Sequence, residues 1–178
     1  VSTAGLTRFA TEVRHLQDIG VWHHRLEIVA EGCGPWTNGE LGALRGVALS
    51  KLDISGMRRI AVADAACLAA GIRSLQHQGQ MGRDFTLVAR GCDWGAGGEA
   101  LLAWCGVSFG MLDISRFTSL CLSSIGAFFR SIASLQLAGQ MTTAFVLIAR
   151  YCDWAPQGND SAGLLMGLAQ AGVAFASI

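Results

Sequence analysis

"RDFTLVARGCDW", Arg83 to Trp94, is the stretch on which the fold turns. Phe85, Leu87 and Val88 fit both the 3.6-residue period of a helix and the 2-residue period of a strand. The helical reading is adopted here, and the number of helices in the chain depends on it.

The stretch is used more than once. "GIRSLQHQGQMGRDFTLVARGCDW" (Gly71 to Trp94) aligns without a gap on "SIASLQLAGQMTTAFVLIARYCDW" (Ser131 to Trp154), at an offset of 60. A more worn copy, "EVRHLQDIGVWHHRLEIVAEGCGPW" (Glu12 to Trp36), sits at an offset of 59 and carries one extra residue before its tryptophan. A second landmark keeps step: "GVALSKLDIS" from Gly46, "GVSFGMLDIS" from Gly106 and "GVAFASI" from Gly172, with a short insertion around "APQGND" (Ala155 to Asp160). A fixed period of this length marks a repeat array. The units run approximately over residues 1–52, 53–112 and 113–178, and both ends are expected to be cuts in a longer array.

Within a unit, "GMRRIAVADAACLAAGIRSLQHQG" (Gly56 to Gly79) has the alanine and leucine content of one long helix, closed by Gly79. "GAGG" (Gly95 to Gly98) is a turn, and "EALLAWCGVSFGML" (Glu99 to Leu112) reads as a further helix with a carboxylate in its first turn. That makes three helices per unit. The twice-used Leu-Asp-Ile-Ser then becomes a helix start. Asp53 and Asp113 serve as N-caps, with Leu52 against Met57 and Leu112 against Phe117 as hydrophobic staples. The predicted fold class is all-α, a tandem repeat of three-helix units stacked as a solenoid.

Composition limits what such a chain can do. Its 178 residues are 52% hydrophobic and 15% charged, with 23 glycines and 2 prolines, which excludes a disordered segment. Thirteen basic residues balance thirteen acidic ones, so no net field draws nucleic acid or an anionic membrane from a distance. The apolar runs Ala100 to Leu112 and Gly163 to Ile178 are shorter than the roughly 20 residues a spanning helix needs. The first residues lack the basic-then-apolar order of a signal peptide. None of the six cysteines forms a CxxC pair, so free thiols in a reducing, cytoplasmic setting are expected.

The repeated "ARGCDW" and "ARYCDW" carry the best candidates for binding: Arg90, Asp93 and Trp94 in one copy, Arg150, Asp153 and Trp154 in the next. Arg and Asp three apart on a helix can pair, and tryptophan can stack on a guanidinium. The competing account makes Cys92, Cys152 and the tryptophans packing residues, since the first copy has Glu31 in the arginine position and no aspartate. Gln76, Gln80, Gln136 and Gln140 could form a polar ladder that reads peptide backbones or bases, or could satisfy neighbouring carbonyls. His23 and His24 point roughly 100° apart on a helix and cannot converge on one metal. No catalytic constellation can be assembled, and no cofactor or metal is implied.

Read this way, the architecture resembles armadillo and HEAT arrays, with a longer period and no diagnostic motif; the resemblance implies a non-enzymatic scaffold with an extended concave face. The expected function is protein or peptide binding, the alternative is RNA or DNA binding, and homo-oligomers could form through the array ends.

Overall fold

The computed structural model describes residues 3–22, 26–30, 39–57, 59–95 and 98–154. The elements follow in the order α1 (Thr3–Asp18), β1 (Leu26–Val29), α2 (Glu40–Ala43), β2 (Leu49–Asp53), α3 (Val62–His77), β3 (Phe85–Val88), α4 (Glu99–Leu102), β4 (Phe109–Asp113), β5 (Thr118–Leu120), α5 (Leu122–Leu137), β6 (Val146–Ile148) and β7 (Asp153–Trp154). Five strands make one parallel sheet in the order β1-β2-β3-β4-β6, and β5 pairs with β7 in a second. The fold class is therefore α/β. The all-α expectation and the likeness to armadillo and HEAT arrays are both overturned by the sheet.

The error began in the opening stretch. Phe85–Val88 is strand β3, a short, mostly apolar run that follows Arg83-Asp84 and ends before Arg90-Gly91. Phe85, Leu87 and Val88 are all buried, so no clean alternation advertised the strand. The expected helix from Glu99 to Leu112 is only the four residues of α4, followed by strand β4. Turns carry the chain from Ala103 to Gly106, whose φ of +84° lies in the left-handed region that glycine favours. The long helix before it begins at Val62 rather than Gly56, and Gly79 at φ +71° closes it.

Leu-Asp-Ile-Ser is likewise not a helix start. Asp53 and Asp113 end strands β2 and β4, and each Oδ1 accepts the N–H of the serine two residues on, at 3.0 Å. The carboxylate does satisfy a free backbone donor, but in a turn rather than in the first turn of a helix. Met57 and Phe117 join the core instead of stapling a helix end.

The period survives in a new form. Register pairs Asp53 with Val88 and Val88 with Asp113, intervals of 35 and 25 residues that together make the 60-residue offset. Each period is thus two strand–helix crossovers, a long one through a 16-residue helix and a short one through a 4-residue helix. Successive helices pack against each other, α1 on α2 through to α4 on α5, so they form a single layer. One continuous core lies between that layer and the sheet, with Leu52, Leu87 and Leu112 in register beneath Ala69 and Ile72 of α3. Among the described residues no helix covers the other face, and none is long and apolar enough to cross a membrane.

Candidate functional site

Parallel strands deliver all their C-terminal ends to one edge, where the connecting turns collect side chains from distant parts of the sequence. Here the ladder runs on past the strands. Ile54 N–H donates to Val88 O and Ala89 N–H to Asp113 O, both at 2.8 Å, and two residues later Gly91 N–H donates to Ser115 O at 2.8 Å and Arg116 N–H to Arg150 O at 2.7 Å. That continuation lines up Ser55, Arg90, Ser115 and Arg150 in a row across the edge. It opens into a cleft of about 680 Å³ that Arg116, Tyr151 and Asp113 also line.

Asp113 forms the floor. It is 1% exposed, and its Oδ2 lies 2.6 Å from Nε of Arg90, whose own side chain is half exposed. Strand register explains the partner. Arg90 stands two residues past Val88, which pairs with Asp113, so the guanidinium reaches sideways over the neighbouring strand rather than along its own turn. The expected pairing of Arg90 with Asp93 is not what forms. Asp93 turns outward and its Oδ1 accepts the Gly95 N–H at 2.9 Å.

The other expected residues separate into two groups. Arg90 and Arg150 reach the cleft. Trp94 is wholly buried and stacks on Phe117, centroids 6.3 Å apart, so it offers nothing to a ligand. Asp153 and Trp154 contribute backbone to β7, and the placement of their side chains lies outside the described part of the structure, as do His23, His24 and Cys33. Gln76 does read a peptide backbone, but its own: Nε2 donates to Ser108 O at 2.8 Å and Oε1 accepts Ser108 N–H at 3.0 Å. Gln17 holds Ala48 in the same two-bond manner, at 2.8 and 2.9 Å. Gln136 donates to Thr142 O, Gln140 lends its carbonyl to the Ser108 hydroxyl, and Gln80 is exposed on the turn after α3. The recess beside Gln76 and Gln140 holds about 20 Å³, room for a single water.

Cysteine supplies a second internal ladder. Cys92 donates to Ile54 O at 3.1 Å and Cys152 to Ile114 O at 3.3 Å, which ties each turn to the preceding strand end. Burial pushes the Cys92 thiol up to about 12 and raises Cys105 and Cys152 as well. A thiol held protonated by burial is a weak nucleophile at neutral pH. Among the described cysteines Cys121 is the one lowered, by its contact with the Ser123 hydroxyl and nearby backbone N–H groups. No cluster of three or more metal-binding side chains exists among the described residues.

Of the residues lining the cleft only Arg90 and Arg150 were singled out from the sequence as binding residues; Ser55, Asp113, Ser115, Arg116, Ile148 and Tyr151 were not. The gapless 60-residue alignment holds a signal for two of them, since Arg116 and Tyr151 stand where the preceding copy has Gly56 and Gly91. Comparison with family models, with curated proteins and with solved structures finds no match to the chain.

Proposed function

We propose that the protein is a non-enzymatic scaffold that docks a protein or peptide partner on the helix-free face of its parallel sheet. The observation that carries this reading is the one-sided helix layer, because parallel sheets are ordinarily covered on both faces. Register sets Glu27, Lys51, Thr86, Met111 and Val146 in one row across that face, and Val29, Asp53, Val88, Asp113 and Ile148 in the next. Such a mixture of apolar and charged side chains in fixed rows resembles the make-up of a protein interface more than that of a catalytic centre. Thirteen basic residues balanced by thirteen acidic ones give the chain no net field to draw a phosphate backbone, which weighs against nucleic acid.

The test is selection of a random displayed-peptide library on the purified chain, followed by affinity measurement on the double variant Thr86→Arg/Met111→Arg. Both residues lie on the sheet face at intermediate exposure. Selected peptides should bind the double variant at least about tenfold more weakly, the equivalent of about 1.4 kcal/mol. They should keep full affinity for Ser74→Arg, a change on the exposed side of α3. Equal binding to all three proteins would remove the sheet face from the function. A salt-sensitive mobility shift of single-stranded RNA or DNA would replace this reading with the nucleic-acid one.

A further inference from the structure

The cleft at the C-terminal edge of the sheet departs from the repeat in a way that packing does not require. The described residues contain two non-glycine positions of positive φ, Arg116 at 60° and Tyr151 at 58°, and both line this cleft. The corresponding positions of the preceding copy are Gly56 at φ +80° and Gly91 at φ +63°, the residue type that such a backbone favours. The second copy therefore carries two large exposed side chains in a conformation that disfavours them. Neither Arg116 nor Tyr151 has a described side-chain partner within the fold to account for it.

Charge in the cleft is also unbalanced, although the chain as a whole is neutral. Asp113 is matched by Arg90 at 2.6 Å. Arg116 and Arg150 are exposed, and no carboxylate among the described residues pairs with either. Ser115 adds a donor. It is 7% exposed, its Oγ accepts the Arg150 N–H at 3.1 Å, and its own proton meets no described protein acceptor. The matching Ser55 spends its proton on Asp53, at 2.6 Å.

We propose that this cleft receives an acidic peptide segment of the partner, with Arg116 and Arg150 taking its carboxylates, the Ser115 hydroxyl donating beside them, and Tyr151 with Ile148 packing against its apolar residues. The volume of about 680 Å³ suits a piece of chain rather than a lone anion. Arginine forks match carboxylates with two parallel hydrogen bonds, which fixes orientation as well as charge. This assignment rests on the scaffold reading above and names the chemistry of its partner.

The experiment is fluorescence anisotropy with a short labelled peptide of glutamates interspersed with leucines, against its lysine counterpart, on the full chain and on Arg116→Gly, Tyr151→Gly and Arg150→Gln. The glutamate peptide should bind and the lysine peptide should not. Arg116→Gly and Arg150→Gln should each weaken binding at least about tenfold. Because the glycine restores the residue the backbone favours, Arg116→Gly should bind more weakly while melting at a higher temperature. A loss of affinity accompanied by a lower melting temperature would make Arg116 structural and overturn the assignment. Unchanged affinity in both arginine variants would overturn it too. Displacement of the peptide by equimolar inorganic phosphate would make the cleft a free-anion site, and tighter binding of a single-stranded oligonucleotide would give it to nucleic acid. If the glutamate peptide fails while display-selected peptides still depend on Thr86 and Met111, the acidic reading falls and the scaffold stands.

Discussion

Cys92 is the residue whose environment is most at odds with its reactivity in water. Burial beneath the turn at Gly56–Met57 disfavours the thiolate so strongly that its pKa rises from 9.0 to about 12. The folded chain therefore keeps a proton that the unfolded chain releases. The resulting stabilisation is fully present below about pH 9 and is lost as pH climbs towards 12, on the order of 4 kcal/mol in all. Urea denaturation across pH 8 to 11 should show this decline in the natural chain and a shallower one in Cys92→Ala. Iodoacetamide mapped by mass spectrometry should modify Cys121 well before Cys92, the order expected from the lowered and the raised thiol. Gly110 is constrained by space rather than by φ. A Cβ there would lie 2.8 Å from Asp84 O and 3.1 Å from Asp84 Cα, backbone atoms of the neighbouring strand that cannot turn aside. Gly110→Ala should cost about 2 kcal/mol, read by the same denaturation.

At the scale of elements, the glutamine in the last turn of α1 and of α3 does the work that a strand neighbour would otherwise do. Gln76 satisfies both the donor and the acceptor of Ser108 just before β4, and it is itself 7% exposed. Gln76→Leu should leave a buried N–H and C=O without partners and lower stability by about 3 kcal/mol, whereas Gln80→Leu on the exposed turn should change it by less than about 0.5 kcal/mol. The sequence made the repetition of these glutamines plain and left their target open, because only the fold brings position 76 to position 108. The same limit explains the strands. Phe85, Leu87 and Val88 are buried on both sides of the sheet, so β3 shows neither the alternation of a half-exposed strand nor the length of a helix. Helix α3 and its closing glycine were legible because alanine content and a C-terminal glycine are local signals. The Arg90–Asp113 pair was not, since 23 residues separate its members and nothing local joins them.

For the molecule as a whole, the 60-residue offset was readable without any structure, and it still organises the fold after the change of class. Strands β2, β3 and β4 are held by a strand on either side, and β1 and β6 by one described neighbour each, so protection should grade outward from the middle of the sheet. Hydrogen exchange followed by mass spectrometry should find peptides across β2, β3 and β4 slowest, with β1 and β6 exchanging sooner. Uniform protection of all five strands would mean that the array opens only as a unit.

Helices stacked in one row have a width that strands do not share. Packed helices sit 8–10 Å apart, while hydrogen-bonded strands are only about 4.8 Å apart. Were every crossover a full helix, the outer layer would be nearly twice as wide as the sheet beneath it, and the whole would roll up tightly. Replacing every second helix by a four-residue turn of helix relieves part of that mismatch, and what remains favours a sheet concave on its helix-free side. A sheet concave on that side would hold its side chains closer together than a flat one. Asp53, Val88 and Asp113 are between 1% and 7% exposed on a face that no described helix covers. A partner would therefore meet the ends of the rows, where Glu27 and Val29 are exposed and Ile148 is half-buried, before it met their middle.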